Sequence, residues 1–179
     1  MNNQSFSLQP FPSTNQLLDL KIVGKIVRND NQLAIEYTLL GDIEEVALHP
    51  PSQTPSRKHE LWQDTCFEFF LSIKNSPKYW EFNLSPAGHW NVYRFDSYRQ
   101  GMQEEAALIT LPFIVQQQAD SLELTLDFDL DEIIPVEQAL EVAITTVIKD
   151  RDGEVTYWAL THQGAEADFH RRDSFIMKL

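Results

Sequence analysis

LWQDTCFEFFLSIKNSPKYWEFNLSPAGHWNVYRFDSYRQGM, residues Leu61–Met102, gathers three Trp, five Phe and three Tyr into about a quarter of the 179-residue chain. Its residues alternate with period two, the repeat of a strand whose successive side chains point to opposite faces of a sheet. From Thr65 to Ser72, Phe67, Phe69 and Leu71 share one face, and Cys66, Glu68 and Phe70 the other. From Tyr79 to Ser85, Tyr79, Glu81, Asn83 and Ser85 share one face, and Trp80, Phe82 and Leu84 the other. A sheet face carrying Glu and Asn beside aromatic rings suits a hydroxyl-rich ligand. Carboxylates and amides bond hydroxyls, while aromatic faces accept apolar ring surface.

Outward from this stretch, short alternating runs separated by turn residues recur. This is the pattern of an all-β, two-sheet antiparallel β-sandwich of jelly-roll or immunoglobulin-like architecture, with residues 1–179 as a single domain. Leu20 to Val27 and Leu33 to Leu39 flank Arg28–Gln32 as one hairpin, and Leu140 to Ile148 and Glu154 to Leu160 flank Asp150–Gly153 as another. Ser121 to Asp129 alternates most cleanly, with Leu122, Leu124, Leu126 and Phe128 inward. Phe67, Phe69, Trp80, Phe82, Leu124, Leu126, Val142 and Ile144 are the expected inter-sheet core. Asp131 to Gln138 reads as at most a turn of helix, limited by Pro135. His49 to Arg57, with three prolines, reads as an exposed loop.

The loop between Tyr79–Leu84 and His89–Phe95 fixes which residues share the polar face. An even-numbered loop through Ala87-Gly88 sets Glu81 opposite Arg94 and brings Glu81 and Asn83 onto one face with Trp90, Val92 and Arg94. A three-residue loop instead buries Val92 beside Phe82 and exposes Tyr93. The even register segregates charge from apolar bulk and is the one expected here.

Composition narrows the function classes. With 14 basic against 27 acidic side chains the net charge is −13, which disfavours nucleic acid and anionic membrane as partners. The N-terminal MNNQSFSLQPFPSTNQ has neither a basic n-region nor an apolar h-region, and no apolar run approaches the ~20 residues of a membrane span, so a cytoplasmic location is expected. Cys66, the only cysteine, reads as a buried, inert thiol. No nucleophile motif, nucleotide loop or metal framework is present, so neither catalytic residues nor metal ligands are assigned.

The lead cluster is Glu68, Glu81, Asn83, Trp90 and Arg94, whose bland alternative is a solvated sheet face with a Glu81–Arg94 cross-strand pair. Trp62 and Trp158 serve either as core or as stacking planes; because Trp158 alternates with Tyr157, only one of those two can be core. His162, Asp168 and His170 in THQGAEADFH form a looser constellation. Asp168 and His170 would share a strand face, through a structural hydrogen bond or, less simply, a metal. A haem would need an axial pair such as Met102 with a histidine. Without an attachment motif no cofactor is expected, and the purified protein should be colourless.

These residues resemble the DOMON-like domains related to the type 9 carbohydrate-binding modules. The likeness lies in LWQDTCFEFFL (Leu61–Leu71), YWEFNLSPAGHWNVYRFDSYRQGM (Tyr79–Met102), YWALTH and DFHRRDSF. It implies a β-sandwich with a face that holds a small ligand: a sugar between tryptophans in the type 9 modules, haem in other DOMON domains. Carried over, Trp62, Glu68, Glu81, Asn83 and Trp90 fall in the corresponding region. The reading is non-catalytic binding of a small-molecule or oligosaccharide ligand, a carbohydrate or similar polyol. Its binding residues are Trp62, Glu68, Glu81, Asn83, Trp90, Arg94, Trp158, His162 and His170. The alternatives are a sugar-acting enzyme using Glu68 and Glu81, or an apolar or haem ligand binder.

Overall fold

A computed structural model describes residues 2–12 and 17–179. Part of the N-terminal stretch read above for a leader, Met1 and residues 13–16, lies outside the described residues. Two antiparallel sheets face each other. The smaller runs in the order β1 (Asn2–Ser7), β3 (Leu20–Asn29), β4 (Gln32–Gly41), β10 (Ser121–Asp129), β9 (Phe113–Gln117). The larger runs in the order β2 (Gln9–Pro10), β12 (Val155–Ala159), β11 (Leu140–Lys149), β5 (Cys66–Ile73), β6 (Tyr79–Leu84), β7 (Trp90–Phe95), β8 (Gln103–Glu104). A last short strand, β13 (Met177–Lys178), pairs with the start of β11. The β-sandwich expected from the alternation is the architecture found.

The alternation explains the burial. On β10 every second residue, Leu122 to Phe128, is buried while Glu123, Thr125 and Asp127 are exposed. All eight residues expected in the inter-sheet core are there, with Phe69 stacked on Phe82 at 4.3 Å between ring centroids. Tyr37, fully buried on β4, donates its hydroxyl to the Glu68 carbonyl at 2.6 Å and so ties the two sheets together through the core. Residues 131–138 form two short turns, one before Pro135, closed by Ile134 N–H on the Leu130 carbonyl at 2.8 Å, and one after it, closed by Gln138 N–H on the Pro135 carbonyl at 3.1 Å. Among the described residues no helix is long and apolar enough to cross a membrane.

The β6–β7 register differs from the even one. Leu84 pairs with Trp90, Phe82 with Val92 and Glu81 with Tyr93, while Arg94 lies opposite Trp80. Ser85 N–H bonds the His89 carbonyl at 2.8 Å, which leaves Pro86-Ala87-Gly88 as a three-residue loop. Gly88 takes φ 93°, the left-handed bulge position that such loops require and that side chains resist. The single extra residue flips every later side chain on β7. Trp90 and Val92 therefore enter the inter-sheet core, and Asn91, Tyr93 and Phe95 join Glu81 and Asn83 on the outer face.

Trp90 is thus a core residue, 6% exposed. The Arg57 guanidinium lies over its ring at 4.3 Å, held by bonds to Asn91 Oδ1 and the Glu105 and Leu108 carbonyls. Trp90→Ala is expected to cost about 3–5 kcal/mol of folding free energy in urea denaturation. A loss below about 1 kcal/mol would return the ring to solvent and reinstate the even-numbered loop.

Candidate functional site

Strand β5 is buried on both faces. Its inward residues fill the sandwich. Its outward residues, with those of β6, β7 and β11, form a second apolar cluster of Phe70, Tyr79, Tyr93, Phe95, Ala143 and Phe175, flanked by Trp62 and Phe169. The single-turn segment Leu61–Gln63 and the chain after β12 lie over this face. They leave a cavity of about 430 Å³, within the ~300–1,000 Å³ of small-molecule sites.

Trp62, Phe70, Phe95, Tyr157 and Phe169 form its aromatic walls. Its polar groups are Glu68, Glu81, Arg99 and His170. Glu68 lies opposite Asn83 across β5–β6 and Glu81 opposite Phe70, so the two carboxyls are diagonal neighbours on adjacent strands. Both are buried, at 2% and 5% exposure. Asn83 donates to Glu81 Oε1 at 3.0 Å, and the Thr145 hydroxyl reaches Glu68 Oε2 at 3.3 Å. Among the described residues, Glu68 Oε1 is buried with no hydrogen-bond partner. A second, broader depression of about 720 Å³ lies beside Leu48 and Gln118, but its polar side chains are all on the surface.

Hydrogen bonds order the rim. The Tyr79 hydroxyl accepts from the Arg99 backbone N–H at 3.1 Å and meets His170 Nδ1 at 2.8 Å. His170 Nε2 lies 3.7 Å from Glu81 Oε2, too far for a hydrogen bond. Asp168 accepts from the Tyr98 hydroxyl at 2.6 Å and from Arg99 Nη2 at 2.9 Å, so that cation is already paired.

No family model matches the chain, and neither does any curated protein. Solved structures do. A Bacteroides uniformis ATCC 8492 protein proposed to be carbohydrate-binding superposes with a TM-score of 0.67 at 13% identity, over 96% of this chain and 84% of its own. A family 9 carbohydrate-binding module from Caldicellulosiruptor kristjanssonii, in complex with glucose, superposes at 0.54 and 13% identity, over 91% and 77% of the two chains. The cellotriose complex of a family 9 module from that organism superposes at 0.52 and 10%, over 90% and 74%. The chain has the fold of the family 9 carbohydrate-binding modules.

On this family 9 fold, Trp62, Glu68, Glu81 and His170 come together at the cavity, with Asn83 behind them holding Glu81. The other four residues named from the sequence lie elsewhere. Trp90 is in the inter-sheet core for the register reason above. Arg94 is exposed on the opposite face from Glu81, bonded to Gln103 at 2.7 Å, so no Glu81–Arg94 pair forms. Trp158 is core and Tyr157, its neighbour, faces the cavity. His162 bonds the Gln9 carbonyl at 2.9 Å and packs edge-on against Phe11. Asp168 and His170 share no strand: Asp168 Oδ1 caps the His170 backbone N–H at 3.1 Å in an irregular segment. Phe70 was readable from its alternation with Glu68. Tyr157, on β12, was readable only as the alternative to Trp158, while Arg99 and Phe169 carry no signal in sequence because they come from irregular segments. Cys66 is buried beneath the site, Sγ 3.8 Å from Asn83 Oδ1, and burial pushes its thiol well above the usual range.

Burial dominates the electrostatics. Desolvation, then the charge of Glu81, raises the Glu68 carboxyl well above 4.5. Desolvation raises Glu81 to about 7, against the pull of Asn83 and Arg99. Desolvation, helped by Arg99, lowers His170 from 6.5 to about 4, so it is neutral near pH 7.

The two kinds of group bend stability in opposite directions. Between 4.5 and about 7 the folded chain keeps a proton on Glu81 that the unfolded chain has lost, so stability falls as pH rises through that window. Between about 4 and 6.5 the unfolded chain takes a proton that folded His170 refuses, so stability falls as pH drops through that one. Glu81→Gln removes only the first effect. Its stability relative to wild type should be about 1–3 kcal/mol more favourable near pH 8 than near pH 4.5, by denaturation at both. An unchanging difference would mean that Glu81 is solvated.

Proposed function

We propose that the protein is a non-catalytic saccharide-binding domain whose ligand enters the aromatic-walled cavity on the outer face of the larger sheet. One observation carries this reading: Glu68 and Glu81 form a buried polar floor, with a carboxyl oxygen lacking a partner, inside aromatic walls of monosaccharide scale. Pyranose rings have apolar faces that suit Trp62 and Tyr157, and hydroxyls that can bond the carboxyls and Arg99. The shared fold with modules solved in complex with glucose and cellotriose supports the same reading. A ring stacked on one or two aromatics with a few good bonds supports about 4–6 kcal/mol, roughly millimolar to tens of micromolar affinity.

A hydrolytic reading draws on the two raised carboxyls, which mark catalytic sites in many enzymes. Hydrolysis needs one carboxyl ionised while its partner stays protonated. Here Asn83 bonds Glu81 and the Thr145 hydroxyl reaches Glu68, so each carboxyl is held by a neighbour that carries no charge. Binding without turnover is the better account.

Isothermal titration over a panel of mono- and oligosaccharides tests it. Trp62→Ala should weaken binding about tenfold or more while costing about 1–2 kcal/mol of stability, since Trp62 is only half-buried beside Tyr93. Full affinity in that variant, or no binding of any saccharide by wild type, would refute the site. Release of nitrophenol from aryl glycosides would favour the enzyme.

A further inference from the structure

The cavity floor is built of acceptors, with no unpaired cation beside them among the described residues. Glu68 and Glu81 contribute two carboxyls, and Arg99, the cavity's one cation, is bonded to Asp168 outside the lining. The ring of His170, 3.7 Å from Glu81 and kept neutral near pH 7 by burial, gives that carboxyl no charged partner. Glu68 has none; its side chain lines the cavity, and its Oε1 is buried without a hydrogen-bond partner among the described residues. A buried acceptor left unpaired costs about 1–3 kcal/mol. A buried carboxylate is tolerated when a cation sits against it.

We propose that the ligand is an amino sugar whose protonated amine sits between the Glu68 and Glu81 carboxyls. The inference rests on the saccharide reading of the preceding subsection and adds the chemical class. An ammonium group has three donors and no acceptor, which matches a floor of acceptors: Glu68 Oε1, which bonds nothing, and Glu81 Oε2, which Asn83 leaves free. The walls fit the same charge. Phe70, Phe95 and Phe169 present aromatic rings around the floor, and a desolvated cation over such a ring gains about 2 kcal/mol. A neutral hydroxyl can bond Glu68 but brings no compensating charge. The overall charge of −13 also draws cations toward the protein.

Titrations of the intact protein with D-glucosamine, D-glucose, N-acetyl-D-glucosamine and cyclohexylamine at near-neutral pH separate this inference from the reading beneath it. D-glucosamine should bind about tenfold or more tighter than both other sugars. Glu68→Gln, checked for folding by circular dichroism, should reduce its advantage over D-glucose to near one; Glu81→Gln supplies a second test if that variant fails to fold. Equal affinity for the three sugars, or an advantage that survives in both variants, overturns the amine while leaving a saccharide site standing. Binding of cyclohexylamine with none of the sugars, or of no probe at all, overturns the saccharide reading and the inference together.

Discussion

The pairing of β5 with β6 is the constraint on which the rest depends. It sets Phe69 against Phe82 toward the smaller sheet and, on the reverse, Glu68 beside Asn83 with Glu81 one step along. Because the Tyr37 hydroxyl bonds the Glu68 carbonyl from across the core, the backbone that carries the carboxyl is fixed from behind. Sliding β5 by one residue would send Phe67, Phe69 and Leu71 outward and the Glu68 carboxylate into the sandwich. The apolar core therefore dictates where the acidic pair stands, and the pair cannot relax away from its low-dielectric setting.

That setting exists because β5 is covered twice. In most antiparallel sandwiches the outer face of a sheet meets water. Here Trp62 and the segment carrying Phe169, His170 and Phe175 pack on it, so polar residues that would otherwise be solvated become buried. The cover itself is pinned by polar contacts at its ends. Arg172 bonds Glu141 at 2.7 Å on β11, and Arg99 bonds Asp168 at 2.9 Å. Keeping Glu68 and Glu81 desolvated costs stability, a pattern expected where a site is organised for something other than folding.

Much of this was legible in the sequence. Period-two alternation assigned the faces of β5, β6 and β10 and the eight core residues, because successive side chains of a strand meet different surroundings, the sandwich core on one face and solvent or the outer cover on the other. It also put Glu81 and Asn83 on one face, whereas Trp62 joined them through the resemblance and His170 came from the looser THQGAEADFH constellation. It failed where one backbone residue decided the outcome. Segregating charge from bulk favoured the even register, but Gly88 in the left-handed region adds a residue to the loop and turns Trp90 inward. Trp158 and Tyr157 could not be ordered because alternation says that two neighbours differ without saying which faces the core. Arg99, Phe169 and the Asp168 contacts come from irregular segments, whose positions follow from tertiary packing and not from any periodicity.

The four tryptophans give the most direct test of the account. Trp80, Trp90 and Trp158 belong to the inter-sheet core, and Trp62 alone lines the cavity. In a two-dimensional ¹H–¹⁵N spectrum each indole N–H is a separate reporter, assignable by substituting one tryptophan at a time. On titration with D-glucose and D-glucosamine, the Trp62 indole should shift along a saturable curve while the other three stay near their starting positions. Movement of the Trp90 or Trp158 indole with Trp62 unmoved, or four indoles that neither sugar shifts, would contradict a binding site on the outer face of the larger sheet.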